Sequence, residues 1–128
     1  MEADAVRVLI VDDEGELVSA LVERLNLRGF QAAGVTTGVE ALAYLADTSV
    51  DVVVLDVKMP GLGGLEVIRR IKEQRANLQV ILLTGHGSAQ DAEQGMELGA
   101  YDYLMKPVKI EELVPLLLAA SSGEVKSS

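Results

Sequence analysis

The sequence predicts an α/β protein: a doubly wound, five-stranded parallel sheet with five helices. Short continuous apolar runs rich in β-branched residues recur along the chain, and a helical pattern with one apolar face separates each run from the next. Length sets a bound, because 128 residues, 49% of them hydrophobic and 24% charged, supply one core and leave no room for two. Strict alternation of strand and helix implies right-handed crossovers, with helices on both faces of the sheet.

The first strand is Val8-Leu9-Ile10-Val11. Leu17, Leu21 and Leu25, reinforced by Val18 and Val22, keep one face of the first helix apolar, and Gly29 supplies the left-handed residue that ends it. A weaker apolar run, Phe30 to Val35, gives the second strand. Thr37 followed by Glu40 reads as a capping box ahead of Ala41, Leu42 and Leu45 in the second helix. Val52-Val53-Val54-Leu55 is the third strand; the third helix then turns Val67, Ile68 and Ile71 inward and Glu66, Arg69, Arg70 and Lys72 outward. After the fourth strand, Val80-Ile81-Leu82-Leu83, Ser88 and Asp91 resemble a second capping box before Ala92 and Met96, and Gly99 closes the helix. The apolar stripe of this fourth helix is thin, so it should be the least firmly packed.

The fifth strand, Tyr101 to Met105, has the mixed polarity of a sheet edge. The last helix, from about Lys109 to Ala120, spaces Ile110, Leu113 and Leu117 along one face. Pro115 inside it removes a backbone donor, which predicts a kink or a tightened first turn. Ser121 to Ser128 is small and polar and is expected to fray. One domain over residues 1–128 is therefore expected, with its core at about 6–120 and a tail at 121–128.

Charge and composition exclude several function classes. The 20 acidic against 11 basic residues give a net charge of -9, the wrong sign for binding a phosphate backbone. With no cysteine and one histidine, His86, neither thiolate chemistry nor a familiar zinc site is available. The longest apolar stretch, Leu113 to Ala120, contains Pro115 and is far too short to span a membrane. The first residues are acidic where a secretory signal would be basic, so the expected location is the cytoplasm.

In a doubly wound sheet, function gathers outside the carboxyl ends of the strands. Asp12, Asp13 and Glu14 follow the first strand, Asp56 ends the third, Thr84 the fourth, and Lys106-Pro107 follows the fifth. An acidic pair ahead of a helix is by itself only a favourable N-terminus. Its convergence with Asp56 and Lys106 on one edge asks for a cation, and carboxylate oxygens without nitrogen or sulfur ligands point to magnesium. A divalent cation with Lys106 cancels the charges of Asp12, Asp13 and Asp56, so an incoming phosphoryl group is no longer repelled. Asp56 can then attack phosphorus as a carboxylate nucleophile, with Thr84 donating to a phosphoryl oxygen.

These residues in this order resemble the receiver domain of bacterial two-component response regulators. The match rests on Asp12-Asp13, Asp56 with Pro60-Gly61 after it, Thr84-Gly85 and Lys106-Pro107, and it runs from about Val6 to Ala120. The resemblance implies a flavodoxin-like sheet of order 2-1-3-4-5 and a phosphorylation-activated switch rather than an enzyme. It implies phosphorylation at Asp56 by a sensor histidine kinase or a phosphotransfer protein. Magnesium would be bound by Asp13, Asp56 and the backbone carbonyl of Lys58, with Asp12 close by. Lys106 would contact the phosphoryl group, Thr84 would move toward it, and Tyr103 would swing between exposed and buried rotamers. The Lys106–Pro107 peptide would be cis. Lys58 and His86, each two residues past a site residue, would overhang the phosphoryl group and modulate its hydrolysis, although a solvated loop explains each equally well.

The stretch from Thr84 to Ser88 together with Gly99 to Pro107 is similar to receivers of nitrogen-regulator-type transcriptional activators. That similarity favours a receiver excised from a longer regulator over a stand-alone one. Leu116 and Leu118 lie off the inner face of the last helix. They suggest a homodimer through the surface shared by the fourth helix, fifth strand and fifth helix.

Three rival functions remain. A magnesium-dependent phosphatase of the haloacid dehalogenase kind would carry a second aspartate two residues after Asp56, where this chain has Lys58. A flavin mononucleotide binder would place phosphate on the loop after the first strand, where Asp12, Asp13 and Glu14 would repel it. A receiver-like module that signals without phosphorylation would not need the full acidic set that is present.

Overall fold

The computed structural model describes residues 5–85 and 89–123. Five strands, β1 (Arg7–Val11), β2 (Gln31–Val35), β3 (Val52–Asp56), β4 (Gln79–Thr84) and β5 (Asp102–Met105), alternate with five helices. The helices are α1 (Gly15–Leu27), α2 (Gly38–Asp47), α3 (Gly64–Gln74), α4 (Ala89–Glu97) and α5 (Ile110–Ser121). All strand pairs are parallel, in the order β2-β1-β3-β4-β5.

The pleat divides the apolar runs between two cores. Val8, Ile10, Val52, Val54, Ile81 and Leu83 face Val18, Leu21 and Leu25 of α1 and Ile110, Leu113 and Leu117 of α5. Their neighbours Leu9, Val11, Val53, Leu55, Val80 and Leu82 face Ala41 and Leu45 of α2 and Val67, Ile68 and Ile71 of α3. Burial on both faces is why these runs are continuous rather than alternating. At the β2 edge, where the apolar signal is weak, the Asn26 side chain accepts from Ala32 N–H at 2.8 Å and donates to its carbonyl at 3.4 Å. That amide stands in for a missing strand neighbour.

Helix ends follow the sequence signals closely. Phe30 N–H reaches the Leu25 carbonyl and Gly29 N–H the Asn26 carbonyl, a Schellman closure of α1 with Gly29 at φ +92°. Ala100, Gly99 and Gly95 repeat the motif at the end of α4. Thr37 Oγ1 accepts from Glu40 N–H at 3.1 Å, while the Glu40 carboxylate accepts from Thr36 N–H and both threonine hydroxyls. Ser88, the partner expected for Asp91 in the second box, lies outside the described residues. In α5 the Lys109 carbonyl accepts from both Glu112 and Leu113, so the first turn is tightened, and the helix continues through Pro115.

Three expectations are corrected. Lys72 does not project into solvent: its ammonium donates to the Ala76 and Leu78 carbonyls at 3.1 and 2.7 Å, closing the turn after α3, and its stem packs beside Gly99. Leu116 packs against the sheet core, so of the pair with Leu118 only Leu118 is exposed, at 51%. Ser121, assigned to the tail, is the last residue of α5, and residues 124–128 lie outside the described part.

The thin stripe of α4 has a structural counterpart, since only Ala92 and Gly95 are buried on it. Gly95 lies so close to the fully buried Leu82 that a Cβ there would collide with the leucine side chain. Gly95→Val should therefore destabilise the fold by about 2 kcal/mol, read as a lowered midpoint in chemical denaturation.

Candidate functional site

The carboxyl ends of β1, β3, β4 and β5 meet at one edge of the sheet. Asp12 directly follows β1 and is 0% exposed; Asp56 ends β3 at 4%, and Thr84 ends β4 at 3%. These are the buried polar or charged residues among those described. Asp13 is exposed at the rim. One carboxylate oxygen from each of Asp12, Asp13 and Asp56 lies within 4.8 Å of the other two, an arrangement that can hold a metal ion.

Lys106, just past β5, reaches into this cluster. Its Nζ is 2.8 Å from Asp12 Oδ2, 3.2 Å from Glu14 Oε1 and 3.5 Å from Asp56 Oδ2. Among the described residues, the ion pair with Lys106 is the contact that reaches the buried Asp12 Oδ2, which meets no hydrogen-bond donor in good alignment. The opposite oxygens are held by backbone: Asp12 Oδ1 accepts from Glu14 N–H at 2.9 Å, and Asp56 Oδ1 from Lys58 N–H at 3.3 Å. Thr84 Oγ1 has only a long contact, 3.5 Å, with the Leu104 carbonyl. The Lys106–Pro107 peptide is cis.

Residues 8–118 match the response regulator receiver domain family. The chain belongs to that family. This receiver is 43% identical over 113 residues to the transcriptional regulatory protein CpxR of Klebsiella pneumoniae, covering 88% of the chain and 48% of CpxR. It is 40% identical over 114 residues to the response regulator MprA of a Mycobacterium species, covering 89% and 50%. The crystal structure of a receiver domain protein from Clostridium thermocellum superposes with a TM-score of 0.87 at 32% identity, covering 92% of this chain and 95% of that one. The chain spans about half the length of the curated relatives it matches.

The other sequence candidates distribute unevenly around the site. Tyr103 is 42% exposed, in an outward position on the edge strand. The Lys58 side chain is largely exposed, its ammonium 3.7 Å from Asp91 of α4. His86 lies outside the described residues.

Two contributors had no role assigned to them from the sequence. Glu14 follows the acidic pair directly, but only the fold reveals that it holds Lys106 from across the molecule. Gly64, the first residue of α3, packs against the backbone that follows Asp56: a Cβ there would meet the Asp56 carbonyl, Val57 Cα at 2.7 Å and the Val57 carbonyl at 2.9 Å. The glycines at 61, 63 and 64 were the available signal.

Burial, followed by the nearby charge of Asp12, pushes the Asp56 carboxyl up to about 6, against the opposing pull of Lys106. Burial alone would lower the Lys106 ammonium, but its contact with Asp12 and the charge of Asp56 raise it above the usual lysine range, so it stays protonated. An acid with a raised native pKa binds more protons folded than unfolded between its ordinary value and about 6, so stability falls as pH rises through that window. Asp56→Asn in metal-free buffer should therefore stabilise the receiver near pH 7.5 by about 2 kcal/mol. That gain should shrink as the pH falls from about 6 toward 4, read by thermal denaturation across pH.

Proposed function

We propose that this receiver is a phosphorylation-operated switch whose acceptor is Asp56, loaded by a sensor histidine kinase or a phosphotransfer protein. The convergence at one sheet edge of the buried Asp56, the metal-capable acids Asp12 and Asp13, and Lys106 carries the proposal. In the transfer, a carboxylate oxygen of Asp56 forms a bond to phosphorus as the bond from phosphorus to the donor's imidazole nitrogen breaks. That nitrogen keeps the electron pair. Lys106, already 3.5 Å from Asp56 Oδ2, holds a phosphoryl oxygen. Thr84 gives up its long contact with Leu104 to donate to another.

The donor set fits magnesium. It is made of oxygens, as a hard cation requires, and Asp12 Oδ2 is buried without a hydrogen-bond donor. Asp12, Asp13, Asp56 and the Lys58 carbonyl would hold the ion. When bound, it offsets the negative charge of the cluster and of the phosphoryl oxygens.

Storage of the phosphoryl group, rather than enzymatic turnover, follows from what stands beside Asp56. The residue two positions on is a lysine paired with Asp91, which offers no general acid to a leaving group. Lys58 and His86 instead govern the access of water to the acyl phosphate. Thr84 and Tyr103 relay the change to α4, whose small buried face suits an element with two arrangements separated by a few kcal/mol. Among the described residues no helix is long and apolar enough to cross a membrane, and we place the switch in the cytoplasm. Because relatives such as the transcriptional regulatory protein CpxR are about twice as long, we assign the output to transcription through a separate region, not to nucleic-acid binding by this acidic domain.

Incubation with magnesium and a small acyl phosphate should add one phosphoryl group to the intact mass. Asp56→Asn should abolish the gain, and continuous release of phosphate from added esters would support a phosphatase instead. Tyr103, Met105 and Leu118, all substantially exposed around β5 and α5, mark the surface through which the phosphorylated form pairs. Sedimentation should show a dimer only after phosphorylation, and Leu118→Glu should be labelled normally yet remain monomeric.

A further inference from the structure

We infer that Glu14 is a positioning residue that holds Lys106 at the rim of the site until a phosphoryl group arrives, and so restrains the rate at which Asp56 is loaded. This inference rests on Asp56 being the acceptor. Glu14 Oε1 accepts a hydrogen bond from Lys106 Nζ at 3.2 Å, on the solvent side of the ammonium. Asp12 and Asp56 attract the ammonium ionically from the buried side, whereas the Glu14 side chain is 64% exposed. The ammonium is therefore shared between the floor of the site and its outer edge. To hold a phosphoryl oxygen it must release Glu14, whose carboxylate otherwise competes with the phosphoryl group for the same N–H donors.

Glu14 is well placed to act without supporting the fold. It is the N-cap residue of α1, but its side chain makes no cap hydrogen bond. Its backbone N–H, which orients Asp12, is untouched by side-chain substitution. Beside it, a recess of about 610 Å³ lined by Glu14, Glu16, Leu17, Gly85, Lys106, Pro107 and Val108 opens on the ammonium. Glu16 shares that recess but is not among the ion-pair partners of Lys106 within the described residues, so it reports what a rim charge does without anchoring.

The test measures the rate of Asp56 labelling by a small acyl phosphate, with magnesium, by intact mass. In this reaction the Asp56 oxygen bonds to phosphorus and the donor's carboxylate leaves with the electron pair. Glu14→Gln should load about two- to five-fold faster than the unsubstituted chain, the scale of one partly exposed ion pair. Glu14→Asp should also load faster, because it keeps the charge but withdraws it by about 1.5 Å, one carbon–carbon bond. Glu16→Gln should match the unsubstituted chain, and unchanged thermal midpoints would exclude a purely structural effect.

If Glu14→Asp behaved like the unsubstituted chain while Glu14→Gln were faster, charge alone would be responsible and the anchor would be refuted. Equal acceleration by Glu16→Gln, or none by Glu14→Gln, would refute it as well. Failure of the unsubstituted chain to label, or labelling that survives Asp56→Asn, would overturn the acceptor assignment itself.

Discussion

Two carboxylates withdrawn from water beside one another are the constraint around which the site is built. Asp12 and Asp56 stand at the ends of neighbouring central strands, almost without exposure, where burial and the charge of Asp12 raise the cost of ionising Asp56. Lys106 supplies one positive charge against three from the aspartate cluster, leaving a deficit that one divalent cation would balance. On the proposed reading, this unfavourable local charge is what lets a phosphoryl group be held next to the Asp56 carboxylate.

The strand order makes this geometry possible. Placing β1 and β3 together at the centre sets Asp12 beside Asp56, and running β4 and β5 to one side brings Thr84 and Lys106 to the same edge from residues distant in sequence. The surrounding packing is uneven. Gly64 lets α3 press directly on the backbone after Asp56, while α4 fully buries only Ala92 and Gly95, with Met96 partly buried beside them. Asp56 is thus held on a closely packed support, whereas α4 has little burial to resist displacement.

Most of this architecture was legible in the sequence because parallel strands buried on both faces leave unmistakable runs such as Val52 to Leu55, and because the site residues sit where those runs stop. Capping signals at Thr37 and Gly29 were equally direct, being local chemistry. Contacts between distant residues were not legible. Nothing in the composition of the first loop says that Glu14 meets Lys106, and an outward-facing helical phase for Lys72 does not reveal the carbonyls of Ala76 and Leu78 that recapture it. Pro115 obscured the phase of α5 in the sequence, so the partial burial of Leu116 against the core was not read there. Gly64 escaped notice because a glycine is selected there for an absent atom, which leaves no pattern of its own.

The account stands or falls on the acidic cluster being a cation site completed by the fold. Calorimetric titration of magnesium into the metal-free receiver at neutral pH measures this directly. One site is expected, retained in Thr84→Ala and lost when either Asp13 or Asp56 is replaced by asparagine. An absence of saturable binding, or binding indifferent to both substitutions, would contradict the account.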